Sequence, residues 1–223
     1  MIKLNEVNDV ARAQLSKKKL VRDHIISSVV DGAYPPGTIL SEKGLVEELS
    51  FSKSPIREAL VELCNENILR SIPRFGYEVI RLTNEDVHDI RNLRLSLECG
   101  FLMRYGKDIS AEKIQELYRL LDEEQNAEGS YVDVLKNWEE NTNFHLALFA
   151  AYRNPYAFRV LQDALNRQTR AFAQFYWDKW RQRKLVVTEG AHRDFLDALC
   201  RGELEKAAKL LEADIRDYNG LNI

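Results

Sequence analysis

Hydroxyl and basic side chains cluster in one short stretch of this chain, Ser52-Lys53-Ser54-Pro55-Ile56-Arg57. The stretch follows a predicted short helix, Ser41 to Leu49, after a gap that only a turn can fill. Two helices joined so closely suit a helix-turn-helix, whose second helix enters the DNA major groove by its N-terminal end. Backbone N–H groups at that end hold phosphate. The side chains available to phosphate oxygens and base edges are Ser52, Lys53, Ser54 and Arg57.

A β-hairpin is predicted directly after this second helix. Two β-prone runs, Ile68 to Ile72 and Tyr77 to Ile80, are joined by Pro73-Arg74-Phe75-Gly76. The arrangement is typical of the wing of a winged helix, and Arg74 at its tip can reach the minor groove or a phosphate. The alternative for Arg74 is an ordinary exposed turn residue.

One further helix is predicted before these elements. Its apolar residues recur at helical spacing and are Leu20, Ile25, Ile26, Val29 and Val30. Gly32 and Pro35-Pro36-Gly37 end it. Residues 1–14 lack periodicity, and we predict a loose arm there. Residues 15–82 are therefore predicted to form a winged helix-turn-helix domain, in which Ser41 caps the short helix and Pro55 is tolerated in the first turn of the next.

From Thr83 onward the sequence predicts helices without strands. Thr83 or Asn84 caps a helix that runs to about Tyr105. Helical patterns follow at about 111–126, 131–152, 155–179, 185–201 and 204–219. Their short connections predict a compact antiparallel bundle over residues 83–223. The expected fold is mostly α, with an N-terminal winged helix-turn-helix followed by an all-helical bundle domain.

Charge and cysteine content set outer limits on function. The net charge is −3, but the first 82 residues are the more basic part and include the run Lys17-Lys18-Lys19. Such a run forms a solvated face or meets a phosphate backbone. The odd number of widely spaced cysteines favours reduced thiols and a cytoplasmic location. No apolar run resembles a signal peptide or reaches the ~18 residues of a membrane helix.

The segment from Gly32 to Ile80 resembles the GntR family of bacterial transcription regulators. The resemblance rests on Pro36-Gly37-Thr38-Ile39-Leu40-Ser41-Glu42-Lys43, Leu45, Leu49, Ser52, Pro55-Ile56-Arg57-Glu58-Ala59-Leu60, Leu63 and Pro73-Arg74-Phe75-Gly76-Tyr77-Glu78-Val79. The rest of the chain resembles, more loosely, the FCD effector domain of the FadR-like branch. A homodimer that binds a palindromic double-stranded DNA operator as a repressor or activator is implied. The residues expected at the DNA are Lys43, Ser52, Lys53, Ser54, Arg57, Arg74 and Gly76.

The resemblance also implies a metal site inside the bundle. In many FadR-like effector domains one Asp and three His surround a divalent metal. The corresponding positions here are Asn141, His145, His192 and Asp214. Two imidazoles, one carboxylate and one amide oxygen remain a workable ligand set for Zn, Ni, Mn or Fe(II), although the amide is the weakest donor. The alternatives are hydrogen-bonded structural histidines, a buried amide and a surface acid.

Arg94, in Arg94-Leu95-Ser96-Leu97-Glu98, is the expected effector contact. In the family an arginine here often faces the cavity, and its fork would hold a small organic acid in bidentate fashion. An Arg–Glu pair four residues apart on one helix is an equal alternative. Two competing functions stay open. One is a metal-dependent hydrolase or isomerase, although no nucleophile or general base is evident beyond the ligands. The other is a metal-free bundle that serves only dimerisation.

Overall fold

The computed structural model describes residues 4–125, 134–180 and 191–216 of the chain. These residues pack into two compact units. The first consists of Met1–Leu82 with Phe172–Trp177, and the second of Thr83–Ala171 with Asp178–Ile223. Helices and one small three-stranded sheet confirm the predicted mostly-α fold class. Among the described helices, none is both long enough and apolar enough to cross a membrane.

The first unit combines three helices with an antiparallel sheet. Its elements in chain order are α1 (Leu4–Val30), β1 (Ile39–Leu40), α2 (Glu42–Leu49), α3 (Lys53–Asn65), β2 (Leu69–Ile72) and β3 (Gly76–Val79). The strand order is β1-β3-β2, with Arg70 opposite Glu78 in the hairpin and Leu40 opposite Tyr77. The wing was predicted, whereas β1 was not, because two residues are too few to show the alternation of a strand.

Helix α1 corrects two expectations. It begins at Leu4, where we predicted a loose arm over residues 1–14. The segment contains no Gly or Pro, so nothing in its backbone stops the helix from extending toward the N-terminus. Its buried side also differs, because Val21 is fully buried and Leu20 is 55% exposed. Adjacent helical positions lie about 100° apart, so only one of the two can face the core.

Local signals in the first unit place α3 with one face outward. The Ser41 hydroxyl accepts a hydrogen bond from the Gly44 N–H at 3.0 Å and caps α2 as predicted. Pro55 lies in the first turn of α3 and is buried with Ile56. The α3 residues Ile56, Ala59, Leu60 and Leu63 join the core of this unit. The opposite face of α3 is therefore left for solvent or a partner.

The second unit is helical throughout its described part. Its elements are α4 (Asn84–Tyr105), a 3₁₀ turn (Gly106–Asp108), α5 (Ala111–Gln125), α6 (Val134–Ala150), α7 (Pro155–Trp180, with Phe172–Trp177 grouped in the first unit), α8 (Ala191–Cys200) and α9 (Leu204–Arg216). Thr83 caps α4 in a reciprocal capping box with Asp86. Parts of the predicted helices at 126, 131–133, 185–190 and 217–219 lie outside the described residues.

The core of the second unit is apolar around a few charged side chains. Its fully buried members include Leu102, Phe144, Leu196 and Leu211. Arg94, Glu98 and His145 are buried to the same degree in this unit. Charged groups almost never lie so deep unless they are paired, which directs attention to what these side chains contact.

We expect Gly76→Ala to destabilise the first unit. Gly76 has φ +131°, and a Cβ there would lie 2.3 Å from the Leu40 carbonyl oxygen. The loss should be about 1–3 kcal/mol of unfolding free energy, measured by denaturation followed by circular dichroism. Gly100→Ala is the matched control, because no described atom beyond its chain neighbours and its own helix backbone lies within 4 Å of its Cβ position. That variant should gain about 0.5–1 kcal/mol. Equal stability of Gly76→Ala and wild type would contradict the close approach of β1 and β3.

Candidate functional site

The outward face of α3 carries most of the side chains predicted to contact DNA. Ser52, Lys53 and Ser54 are exposed at its N-terminal end, and Arg57 is 65% exposed one turn later. The Ser54 hydroxyl donates to Glu58 Oε1 at 2.7 Å. Because Ile56 and Leu60 anchor the opposite side of the helix, this polar face is held in one orientation within the unit.

The remaining predicted DNA contacts lie on α2 and the wing. Lys43 is exposed in the first turn of α2, with its Nζ 3.7 Å from Glu47 Oε1. Arg74 occupies the wing tip with φ +70°, and Gly76 opens β3. Phe75 between them is 71% exposed. A role in DNA contact remains a prediction for all of these residues.

Glu42 also belongs to this surface, although it was not among the residues expected at the DNA. Arg57 donates from Nε to Glu42 Oε1 at 2.8 Å and from Nη2 to Oε2 at 2.9 Å. The Tyr77 hydroxyl donates to the same Oε1 at 3.4 Å. The hydrogen bond from Arg57 is the main reason that the pKa of Glu42 lies below its ordinary value. No sequence signal links Glu42 to Arg57, because they are 15 residues apart on different helices.

In the second unit, three helices bring together a buried polar cluster. His145 lies on α6, His192 on α8 and Asp214 on α9. His145 Nε2 is 2.9 Å from Asp214 Oδ2, and His192 Nε2 is 3.5 Å from Asp214 Oδ1. One ligand atom from each of the three residues lies within 4.8 Å of the others. Asn141 stands one helical turn before His145 on α6.

Four buried atoms of these residues have no hydrogen-bond partner among the described residues. They are Asn141 Oδ1, His145 Nε2, His192 Nε2 and Asp214 Oδ2. The 2.9 Å contact between His145 and Asp214 is close, but its angles are not those of a hydrogen bond. Buried polar atoms without partners cost free energy, and a shared cation would satisfy all four. Two imidazole nitrogens, a carboxylate and an amide oxygen fit a divalent metal by donor type.

Glu98 decides which nitrogen of His145 carries the proton. His145 Nδ1 lies 2.5 Å from Glu98 Oε2. Burial alone would raise the pKa of Glu98, but Arg94 and His145 hold it at about 2. The ionised carboxylate can only accept, so in the neutral imidazole Nδ1–H donates to it and the Nε2 lone pair faces the cluster. Metal-ligating histidines almost always donate their second N–H to a carboxylate, a backbone carbonyl or a water molecule. From the sequence, Glu98 was expected only to pair with Arg94 on the same helix.

Protons and a metal would compete within this cluster. Burial disfavours the charged imidazole of His145, yet Glu98 and Asp214 raise its pKa above the ordinary 6.5. Burial likewise opposes ionisation of Asp214, but its close neighbours His145 and His192 hold its pKa well below the usual range. The His192 ring stacks on Phe144, with centroids 4.0 Å apart, which orients the ring.

Arg94 forms the helix pair that was one of its two predicted alternatives, and it retains a spare donor. Its Nε donates to Glu98 Oε1 at 2.7 Å and its Nη1 to Gln168 Oε1 at 2.9 Å. Its Nη2 is buried without a hydrogen-bond partner in the described part of the chain. A narrow cavity without room for a water molecule is lined by Arg94, Asn141, Thr142, Leu165, Gln168 and Thr169.

Comparison with known proteins gives consistent matches to both units. Residues 17–79 match the bacterial regulatory proteins of the gntR family, and residues 89–217 match the FCD domain. The gluconate operon transcriptional repressor of Bacillus licheniformis is 39% identical over 94 residues, 42% of this chain and 38% of that protein. Its counterpart in Bacillus subtilis is 34% identical over 128 residues, 57% and 52% of the two chains. The chain thus spans about half or less of the length of these curated relatives.

A solved structure supports the fold over a longer range. The structure of Escherichia coli McbR/YncC aligns with this chain at a TM-score of 0.69 and 21% sequence identity. The alignment covers 90% of this chain and 93% of the McbR/YncC chain. At this identity the likeness concerns the fold alone.

Glu98→Gln should strongly destabilise the second unit. It removes the buried charge that balances Arg94, and breaking a buried ion pair on one side costs about 3–5 kcal/mol. Glu212→Gln is the control, because the Glu212–Arg216 pair is exposed and should contribute only about 0–1 kcal/mol. Chemical denaturation of both variants measures the difference, and equal losses would show that burial of the Arg94–Glu98 pair does not matter.

The Arg94–Glu98 pair also predicts that the free energy of unfolding falls at acidic pH. The folded-state pKa of Glu98, about 2, lies below its ordinary 4.5. Stability from this carboxylate is therefore present above about pH 4.5 and is lost as pH falls toward 2. Glu98→Gln should lack this part of the pH dependence.

Proposed function

This chain belongs to the GntR family of bacterial regulatory proteins and carries an FCD domain, and from that premise we propose that a small carboxylate controls its binding to DNA. The protein is a transcription regulator. The hydrolase or isomerase alternative is not favoured, because GntR and FCD proteins are regulators rather than enzymes. The first unit carries the DNA-binding surface, and the effector belongs in the second.

The observation that carries the effector proposal is the set of buried donors and acceptors left without partners. A divalent cation would be held by His145 Nε2, His192 Nε2 and Asp214 Oδ2, with Asn141 Oδ1 as the weakest donor. Such a cation supplies a positive charge that attracts a carboxylate. The chain itself contributes Arg94 Nη2, a buried cationic donor beside the narrow cavity. A charged donor bonds a carboxylate more strongly than a neutral one does.

The neutral amide of Asn141 favours an anionic ligand. It lines the same cavity as Arg94. An aspartate at this position would add a negative charge to the wall of the cavity that Arg94 also lines, whereas the neutral amide leaves the positive charge of Arg94 available to an incoming acid. The negative charge of the ligand set lies instead on Asp214, which is not among the residues that line the cavity.

The narrow cavity beside Arg94 has no room for a water molecule in this structure, so an acid would have to widen it on binding. A cation among His145, His192 and Asp214 would fill further space in the bundle. We therefore place small organic acids ahead of long acyl chains. Two relatives are named for a gluconate operon, so hydroxy acids stand first among the compounds to test.

Operator recognition is proposed to involve a homodimer. A two-fold symmetric dimer carries two copies of α3 and therefore matches a palindromic operator with two half-sites. The effector need only bind two states of the dimer with different affinity to shift the population between them. Operator DNA must then change effector affinity by the same factor. We place the protein in the cytoplasm, where operator DNA and metabolite acids are both available.

We expect untagged wild-type protein to bind one divalent ion per chain, and His192→Ala to lose most of this binding. His88→Ala is the matched control, because His88 contacts Asn92 on the surface. Asn141→Asp should tighten metal binding, since a carboxylate is the stronger donor. Elemental analysis after incubation with Zn, Ni or Mn measures all four proteins. Equally low metal in wild type and His192→Ala would make the cluster structural.

Metal release should also depend on pH in a defined direction. Both histidines must be neutral to bind, and the pKa of His145 lies above 6.5. Release should therefore begin above the ordinary imidazole range as pH falls.

A thermal-shift screen of small acids tests the effector class. A binding acid at a hundredfold excess over Kd should add about 2.7 kcal/mol of stability. Thr142→Val changes the cavity wall without touching the Arg94–Glu98 pair, and Arg94→Met removes the donor. Both should weaken acid binding, whereas Arg167→Met should not, because Arg167 pairs with Asp163 and does not line the cavity. Stabilisation only by neutral or cationic compounds would contradict the proposal.

A further inference from the structure

The contact between Arg57 and Glu42 has a geometry that leaves one edge of the guanidinium available. A guanidinium carries five N–H donors in one plane. Glu42 takes two of them, from Nε and Nη2, with both of its oxygens. Three N–H groups remain outside this pair, two on Nη1 and one on Nη2. Together Nη1 and Nη2 form the end of the fork, which points away from the Nε edge.

That end is the part of an arginine that reads guanine. Bidentate donation to guanine O6 and N7 is the commonest specific contact in the major groove. Arg57 stands on the outward face of α3, within the segment that is to enter the groove. We propose that Glu42 is a positioning residue that holds Arg57 so that its Nη1/Nη2 edge reads one guanine in each operator half-site. This inference rests on the proposed operator binding by the α3 face.

Glu42 is itself well held. It begins α2 directly after the capping residue Ser41, where a negative charge suits the positive end of the helix. The Tyr77 hydroxyl on β3 donates to it, and its side chain is only 24% exposed. Arg57, by contrast, is a long and exposed side chain that would otherwise sample many rotamers. Because α2 and β3 hold Glu42 in place, the bidentate contact with Glu42 restricts the rotamers of Arg57, the residue proposed to contact the base.

A second role for Glu42 predicts the opposite result and so provides the test. An acidic group that does nothing except sit on a DNA-facing surface repels phosphate. Its removal would strengthen binding to every duplex equally. A positioning carboxylate, when removed, instead lowers discrimination at one base pair, because Arg57 is no longer held in register with the guanine.

The experiment uses the full-length protein and a random duplex library. Wild-type protein first selects its preferred site, and each base pair of that site is then substituted in turn. Arg57→Ala should lose discrimination at one G·C pair per half-site, by roughly 5- to 100-fold. Glu42→Ala should lose at least about 5-fold at that same pair and at no other. Glu42→Gln, which keeps one acceptor oxygen, should lose less. The double variant should match Arg57→Ala, because the two residues act as one unit.

Glu47→Ala is the matched control. It removes the same charge from the same helix, and Glu47 pairs with Lys43 rather than with Arg57. It should change affinity for all duplexes alike and leave every base preference intact. Melting curves of all variants confirm that the first unit is folded.

Three outcomes would overturn the inference. If Glu42→Ala binds all duplexes more tightly with unchanged preferences, Glu42 only screens charge. If wild type selects a sequence that neither Arg57→Ala nor Glu42→Ala alters at any G·C pair, Arg57 is not the base-reading residue, and operator binding stands without it. If wild type selects no sequence, operator recognition and the role of Glu42 fail together.

Discussion

The buried carboxylate of Glu98 constrains much of the second unit. A charge in an apolar helical core is costly unless each of its oxygens has a strong partner. Arg94 satisfies one oxygen and His145 the other. Arg94 in turn is held by Gln168, so one carboxylate ties α4 to α6 directly and to α7 through a second hydrogen bond. The helices cannot shift against each other without exposing a charge to the apolar core.

This constraint also prepares the chemistry of the cluster. When His145 is neutral, the ionised Glu98 keeps its proton on Nδ1, and the lone pair of Nε2 lies on the side of Asp214 and His192. A ligand atom held in advance loses little freedom when it binds. The same ion pair leaves Arg94 with one unused donor beside the narrow cavity. Under the proposed function, stability and ligand recognition would thus depend on a single group of side chains in this unit.

The Arg94–Glu98 and Arg57–Glu42 pairs differ in strength because their surroundings differ. Arg94 and Glu98 are both buried, so their attraction is weakly screened and loss of either partner leaves an uncompensated charge. Arg57 and Glu42 face solvent, where an ion pair contributes only about 0–1 kcal/mol. The exposed pair therefore adds little stability, and in the role proposed for it Glu42 serves to direct Arg57.

The sequence by itself determined the order and the ends of most elements, the fold class and the family. Those features depend on local interactions. Ser41 and Thr83 cap their helices by hydrogen bonds to residues three positions later, and Pro55 is tolerated because it lies in the first turn of α3. Local patterns did not predict which of the adjacent residues Leu20 and Val21 is buried in the core. They also did not predict a strand as short as Ile39–Leu40. His145, His192 and Asp214 could be named in advance from a family resemblance. The tertiary structure alone decided that Glu98 orients His145 across 47 residues and that Glu42 holds Arg57 across two helices. Such contacts have no fixed spacing, because they depend on how helix surfaces pack and which buried charges must find a partner.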